Sequence, residues 1–266
     1  MLPKIGALQV NAGFWAFDGH EYLPGIGFRK FMATRERFKH QTFKWVKRAG
    51  IGMIGLAVMP LLLVGLLRWV PVPTSAFMLR HLLSGETVEY HWVDWSHISK
   101  RLPIAVVASE DQRFPLHWGF DFKAINDAMR ENRWRTRPRG ASTITQQVAK
   151  NLFLWPGRSF VRKGMEAGLT LTIELCWPKK RILEVYLNIA QFGPDTFGVA
   201  AASRRYFKKS PARLTAYEAA LLAAVLPNPT HYSLSPPSSY VWQRAADIQE
   251  QISLLGGEAY LKKMEQ

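Results

Sequence analysis

An uninterrupted apolar run near the N-terminus constrains this chain more than any other feature of its sequence. Residues 49–67 carry no charged side chain and consist mainly of Leu, Ile, Val, Gly and Met. A helix needs about 20 such residues to cross the hydrocarbon core of a bilayer, and Pro60, in the middle of the run, is tolerated in membrane spans. The run is too long for a cleaved signal peptide and follows 48 residues of chain. Residues 49–70 are therefore predicted to form an uncleaved transmembrane helix.

The charges on the two sides of this run predict its orientation. The twenty residues that end at Arg48 contain eight Lys and Arg, whereas the twenty that begin at Pro71 contain only Arg80. Positive residues accumulate on the cytoplasmic side of membrane spans. Residues 1–48 are therefore predicted to be cytoplasmic, and residues 71–266 to form a domain on the outer side of the inner membrane.

The net charge of +15 is shared by both parts of the chain. Residues 1–70 hold ten Lys and Arg against three Asp and Glu, which gives +7, and the remainder holds twenty-five against seventeen, which gives +8. Nucleic acid is the first partner that such a balance suggests. The sequence contains no zinc-finger spacing, RNP-type aromatic motif or P-loop, and the predicted compartment holds no nucleic acid. Binding to nucleic acid is therefore not expected.

The part of the chain after the apolar run has the pattern of a mainly α domain. Asp121, Thr143 and Thr215 each stand where a side chain can cap a helix, and the last two have capping-box spacing. An amphipathic stripe ends at Gly256, and no run of alternating strands competes. A single helical domain is predicted from about residue 85 to the end.

Three segments carry residues suited to chemistry. Glu110 and Asp111 follow an apolar stretch, which would raise the proton affinity of Glu110 and suit a general base, although a solvated helix end fits the pair equally well. Arg162 and Glu166 can pair across one helical turn, which is a common arrangement. The third segment is a predicted helix with one polar face, which suits an oxygen-rich ligand but also fits an ordinary solvated surface. That face carries Thr143, Gln147, Lys150 and Asn151.

Five arginines lie between Arg130 and Arg139, and Pro138 and Gly140 favour a loop there. One hypothesis is that this loop gates a cleft and contacts lipid phosphates. A solvated basic loop explains the composition equally well.

Four motifs resemble, in order and spacing, those of glycosyltransferase family 51, the peptidoglycan polymerases. The resemblance runs from about residue 72 to 255 and is greatest to the monofunctional members, since Ser-x-x-Lys and Lys-Thr-Gly motifs of a transpeptidase are absent. The motifs are Glu110-Asp-x-x-Phe-x-x-His-x-Gly-x-Asp121, Gly140-Ala-Ser-Thr-Ile-Thr-Gln-Gln-x-x-Lys-Asn151, Arg162-Lys-x-x-Glu166 and Arg181-Ile-Leu-Glu-x-Tyr-Leu-Asn188.

The resemblance implies a lysozyme-like helical fold and a periplasmic glycosyltransferase that joins lipid II units. The growing strand on undecaprenyl pyrophosphate would be the donor, and the 4-hydroxyl of lipid II the acceptor, which gives a β-1,4 bond with inversion. Glu110 would be the catalytic base. Glu166 would be a second catalytic carboxylate near the pyrophosphate, where a divalent cation such as Mg²⁺ is the one cofactor to consider; no metal ligand is assigned. Substrate binding would fall to Asp111, Phe114, His117, Ser142, Thr143, Gln147, Lys150, Asn151, Arg158, Arg162 and Lys163.

The chemistry of the leaving group separates this prediction from its main alternative, a lysozyme-like glycan-cleaving enzyme. A glycan hydrolase must protonate a poor alkoxide leaving group, whereas pyrophosphate needs its charge stabilised. Lys150, Arg158, Arg162 and Lys163 supply cations for that purpose. The expected partners are lipid II, the lipid-linked glycan, the inner membrane and other cell-wall synthesis proteins. An inactive membrane scaffold is the third possibility.

Overall fold

The computed structural model divides the chain into two units, Met1–Gly55 and Leu56–Gln266. It describes Lys44, Trp45, Lys47, Arg48 and residues 50–52, 55, 58–134, 140–157 and 159–264. Most of the predicted cytoplasmic segment, together with Arg158 and the arginines of residues 135–139, lies outside these residues.

The first helix of the second unit, α1, is described over residues 58–67. Within the described part of the chain, no helix is both long enough and apolar enough to cross a bilayer. Residues 49, 53, 54, 56 and 57 of the predicted span lie outside that part, so the transmembrane helix over 49–70 stays a prediction.

The second unit is mainly helical, as predicted. A two-residue strand, β1 (Glu89–Tyr90), pairs in parallel with β2 (Thr196–Phe197), and short 3₁₀ and π turns connect several helices. The α-helices after α1 are α2 (Ala76–Leu83), α3 (Arg101–Glu110), α4 (Phe122–Glu131), α5 (Ile144–Phe153), α6 (Phe160–Cys176), α7 (Lys179–Ile189), α8 (Gly198–Ala202), α9 (Ala216–Val225) and α10 (Ser239–Leu255).

The predicted helix caps are confirmed. The Asp121 carboxylate accepts a hydrogen bond from the Ala124 amide at 3.0 Å, and capping boxes open α5 at Thr143 and α9 at Thr215. Helix α10 ends at Gly256, whose φ of 92° lies in the left-handed region that favours glycine. Each of these signals is local in sequence, which is why the pattern alone located them.

The predicted start of the arginine-rich loop was wrong. Helix α4 continues to Glu131, so Arg130 lies in its last turn. A cation there is favoured by the negative end of the helix dipole, and the amphipathic pattern that begins after Asp121 extends through this turn.

Two groups of helices meet at the site. Helices α3, α9 and α10 pack together, and α5 packs against both α6 and α7. Helix α9 is buried from Ala219 to Val225, because its many alanines allow neighbouring helices to approach closely. Glu110 ends α3 and Gln147 lies on α5, so each group contributes one side of the site.

Gly198 holds a position that no other residue can occupy without strain. Its φ is +78°, and a Cβ placed there would lie 2.3 Å from the backbone oxygen of Asn188. We expect Gly198→Ala to lower the free energy of unfolding by about 2–4 kcal/mol. Gly168→Ala is the matched control, because a Cβ on that helical glycine meets no atom within 4 Å and should leave stability unchanged or slightly raised. Equal denaturant midpoints for the two variants would contradict this assignment.

Candidate active site

Glu110 lies at the end of a buried helix. The α3 side chains from Leu102 to Ala108 belong to the core, and the helix delivers Glu110 from that core as a partly buried carboxylate. Loss of water on burial raises the pKa of Glu110, while the Gln147 amide and the cations Arg244 and Lys150 act in the opposite direction. A carboxylate with a raised pKa that remains hydrogen-bonded suits a general base.

A relay of two side chains orients the hydrogen bond to this carboxylate. The Tyr186 hydroxyl, buried on α7, donates to Gln147 Oε1 at 3.1 Å, and Gln147 Nε2 donates to Glu110 Oε2 at 2.8 Å. Because the tyrosine hydroxyl holds the oxygen of the amide, the NH₂ group must face the carboxylate. Gln147 therefore contacts Glu110 itself, which the helical pattern alone did not reveal.

Tyr186→Phe should change how activity depends on pH. Without the hydroxyl the Gln147 amide can turn its oxygen toward Glu110, which removes a hydrogen bond to the charged carboxylate and raises the pKa of Glu110 further. A base works in its deprotonated form, so the acid limb of the kcat/KM profile should move to higher pH and the loss of activity should be greatest at low pH. Tyr206→Phe is the control, because that hydroxyl binds the Phe192 carbonyl instead. A loss of equal size at every pH would contradict the relay.

Hydrogen bonds between residues of the first and second motifs connect the end of α3 to the start of α5. Buried Asp111 accepts from His117 Nε2 at 2.9 Å and from the backbone amide of Ile144 at 3.0 Å. The Thr143 hydroxyl donates to the Gly119 carbonyl at 2.6 Å. These contacts fix the position from which α5 presents Gln147.

Phe114 supports the same scaffold. Its ring is fully buried, and the Lys179 ammonium lies 4.6 Å from the ring centroid. Asp111, Phe114, His117 and Thr143 thus have partners inside the protein, and their predicted contacts with substrate stay predictions.

A second carboxylate lies within a cluster of cations. Glu166 is 2% exposed; Arg162 Nη1 lies 2.6 Å from its Oε2, and Lys163 pairs with its Oε1. The predicted pairing of Arg162 with Glu166 is confirmed. Arg162 also donates from Nε to the Gly157 carbonyl at 2.9 Å.

The ammonium group of Lys150 interacts electrostatically with both carboxylates, Glu166 and Glu110. Burial lowers its pKa, Glu166 and Glu110 raise it, and Arg162 and Lys163 lower it. Lys150, Arg162 and Lys163 together exceed the charge of Glu166 by two, since three cations face one carboxylate. Such a cluster suits a doubly charged anion.

The remaining predicted contacts of α5 and its neighbouring loop differ in exposure. Ser142 is exposed, whereas the side-chain oxygen of Asn151 is buried and has no hydrogen-bond partner among the described residues. Arg158 lies outside the described residues, so its predicted contact with substrate stays a prediction.

The described donors do not form a ready site for a resident metal ion near Glu166. Both oxygens of this carboxylate already pair with cations, and a metal ion bound to them would face the repulsion of those cations. Asp111, His117 and Asp121 do place ligand atoms within 4.8 Å of one another. Asp111 is occupied by His117, however, and Asp121 pairs with Arg113 at 2.9 Å. A divalent cation that binds together with the substrate pyrophosphate stays a prediction, and no step of the proposed reaction depends on it.

Arg244 is a candidate functional residue that the sequence did not reveal. It reaches from α10 to donate to the Ser109 carbonyl at 3.3 Å, directly beside Glu110, and it lowers the pKa of that carboxyl. The sequence predicted its helix from the apolar stripe alone. Arg244 is a polar position on that helix, more than a hundred residues from Glu110 in sequence, and no local pattern indicates that the two lie close together.

Comparisons with known proteins find relatives over most of the chain. The Transglycosylase family profile matches residues 78–253. The chain is 51% identical over 228 residues to the biosynthetic peptidoglycan transglycosylase of Pectobacterium carotovorum subsp. carotovorum (strain PC1), which covers 82% of this chain and 93% of the relative. Proteins of the same name from Klebsiella oxytoca and Salmonella typhimurium are 56% identical over 207 residues and 54% identical over 208. Each of these two alignments covers 75% of this chain and 86% of the relative.

Proposed function

The chain belongs to the transglycosylase family, and from this premise we propose that it polymerises the glycan strands of peptidoglycan. In this reaction the growing glycan, linked to undecaprenyl pyrophosphate, passes to the 4-hydroxyl of lipid II. The observation that carries the proposal is that the site contains two separate parts. One is Glu110, a carboxylate of raised pKa, and the other is the cation cluster around Glu166.

Glu110 acts as the base. Gln147 occupies Oε2 and leaves Oε1 for the acceptor. As the acceptor O4 forms its bond to the anomeric carbon of the donor, the hydroxyl proton passes to Glu110 Oε1. Partial burial keeps this carboxylate a stronger proton acceptor than an ordinary glutamate.

The cation cluster receives the leaving group. The bond between the anomeric carbon and the pyrophosphate oxygen breaks, and its electrons add negative charge to the pyrophosphate. Lys150, Arg162 and Lys163 are positioned to stabilise that charge. A hydrolase that releases an alkoxide would instead need a carboxylic acid at the leaving oxygen, and Glu166, paired with two cations, is poorly suited to donate a proton. A glycan-cleaving enzyme is therefore not favoured.

Exposed apolar side chains support the predicted location at the inner membrane. On α6, Phe160 is 99% exposed and Leu175 68%, and soluble monomers rarely leave large apolar patches open. Helix α1 joins the same region, because Trp177 Nε1 donates to the Val64 carbonyl at 2.7 Å. An N-terminus in the cytoplasm and a catalytic domain in the periplasm would place this surface beside the lipid-linked substrate. Contacts with other cell-wall synthesis proteins remain part of the proposal.

The experiment is incubation of the purified full chain with labelled lipid II in detergent or vesicles. We expect polymeric glycan whose length increases with time. Shortening of preformed glycan would support the cleaving alternative, and the absence of both activities would support a scaffold.

A further inference from the structure

Helix α10 reaches the segment beside the catalytic base through Arg244. Arg244 contacts the backbone oxygen of Ser109, the residue next to Glu110. Tyr240 precedes Arg244 by four positions, so their side chains project from the same face of the helix with Cβ atoms about 6 Å apart. The face of α10 that reaches the base therefore continues to Tyr240.

The Tyr240 ring is stacked on one face and remains partly exposed. Tyr232 stacks on it, with ring centroids 4.6 Å apart and 25° between the planes, yet Tyr240 remains 47% exposed. Tyr232 covers one face of the ring, and the exposed part of the side chain remains accessible to a ligand. The face of an aromatic ring is partly negative and attracts polarised C–H groups such as those of a pyranose ring.

The direction of the reaction places the acceptor on this side of the base. The leaving pyrophosphate is assigned to the cations of α5 and α6, and displacement with inversion puts the attacking oxygen on the opposite side of the anomeric carbon. The acceptor sugar must therefore lie away from α6 with its O4 at Glu110. Helix α10 borders the base through Arg244 and carries the partly exposed ring of Tyr240 one turn away.

We propose that Tyr240, backed by Tyr232, binds a sugar ring of the acceptor and holds it while its 4-hydroxyl reaches Glu110. This subsite rests on the proposed polymerase function and deepens it. Its ligand is a pyranose of the lipid-linked disaccharide, bound through one apolar face of the sugar.

Trp242 provides a matched control on the same helix. It is 49% exposed and stacks on Tyr217, with centroids 5.5 Å apart and 30° between the planes. It lies two positions from both Tyr240 and Arg244, so helical geometry directs it to a different face. The two aromatic residues match in exposure and stacking and differ in the direction they face.

The test measures initial rates with a labelled lipid-linked tetrasaccharide as donor and varied lipid II as acceptor, using the full chain. We expect Tyr240→Ala to raise the acceptor KM about five-fold with little change in kcat. Tyr240→Phe, which keeps the ring, should behave like the unmodified protein, and Trp242→Ala should leave the acceptor KM unchanged. Equal acceptor KM values for the two alanine variants would overturn the proposal, as would a change in vesicle binding without a change in KM.

A second measurement separates this proposal from the proposed function. Saturation-transfer NMR with the lipid-free disaccharide reports sugar binding to full-length Glu110→Gln, whether or not the unmodified protein forms polymer. Loss of the transfer signal when Tyr240→Ala is added, and its retention with Trp242→Ala, would support the subsite. If the protein bound the sugar but made no polymer, only the polymerase function would fail. If Tyr240→Ala bound the sugar as well as its parent, the subsite would fail.

Discussion

Glu110→Gln is expected to reduce the rate of lipid II polymerisation by about 10³-fold, within the range that a positioned general base contributes. Glutamine keeps the size and shape of the side chain but cannot take the proton from the acceptor hydroxyl. The loss should appear in kcat, because the substituted group acts on the reacting oxygen. Quantifying glycan polymer from labelled lipid II over time measures this effect.

The structure offers a control for this substitution and a check that the fold survives. Glu250 is exposed on α10, so Glu250→Gln removes the same charge without touching the site and should leave the rate unchanged. Thermal unfolding of Glu110→Gln should match that of the unmodified chain, because the amide of the new residue can still hydrogen-bond to Gln147. A variant that is folded and retains more than about a tenth of the activity would rule out Glu110 as the base.

The fold was predictable wherever its signals are local. The caps at Asp121 and Thr143, and the pairing of Arg162 with Glu166, each depend on residues within one helical turn, and the structure contains all three. The mainly α architecture followed from the same signals. Periodicity also identified the apolar stripe of α10, which packs into the core as expected.

The site was less predictable, because its contacts join distant segments. The Tyr186–Gln147–Glu110 relay links α7, α5 and α3, and Arg244 comes from α10. In sequence, Gln147 was indistinguishable from a residue on a solvated face, since helical position does not show which neighbour covers it. The motifs named most of the residues in the site but not which of them contact substrate and which hold the others in place.

Breaking the Arg162–Glu166 pair is expected to reduce both the stability of the protein and its polymerase activity. Both side chains are buried. Glu166→Leu would leave the cations of the cluster without their carboxylate, at a cost of about 3–5 kcal/mol, whereas Arg162→Met should cost less because Lys163 still pairs with Glu166. Each single variant should therefore lose stability, as measured by denaturant unfolding, and should lose polymerase activity.

The double variant separates a catalytic role of this cluster from a structural one. Replacing a buried ion pair by apolar side chains of similar volume is often neutral or stabilising, so Arg162→Met/Glu166→Leu should be more stable than Glu166→Leu alone, because one fewer cation is left without a partner. If the pair helps to hold the pyrophosphate, activity should stay low in the double variant, with the loss unchanged across magnesium concentrations. Lys163→Met is a further control, because Lys163 is 47% exposed at its side chain and its removal should cost little stability. Recovery of activity together with stability would instead make the pair a structural clamp and leave the leaving-group charge to Lys150 and Lys163.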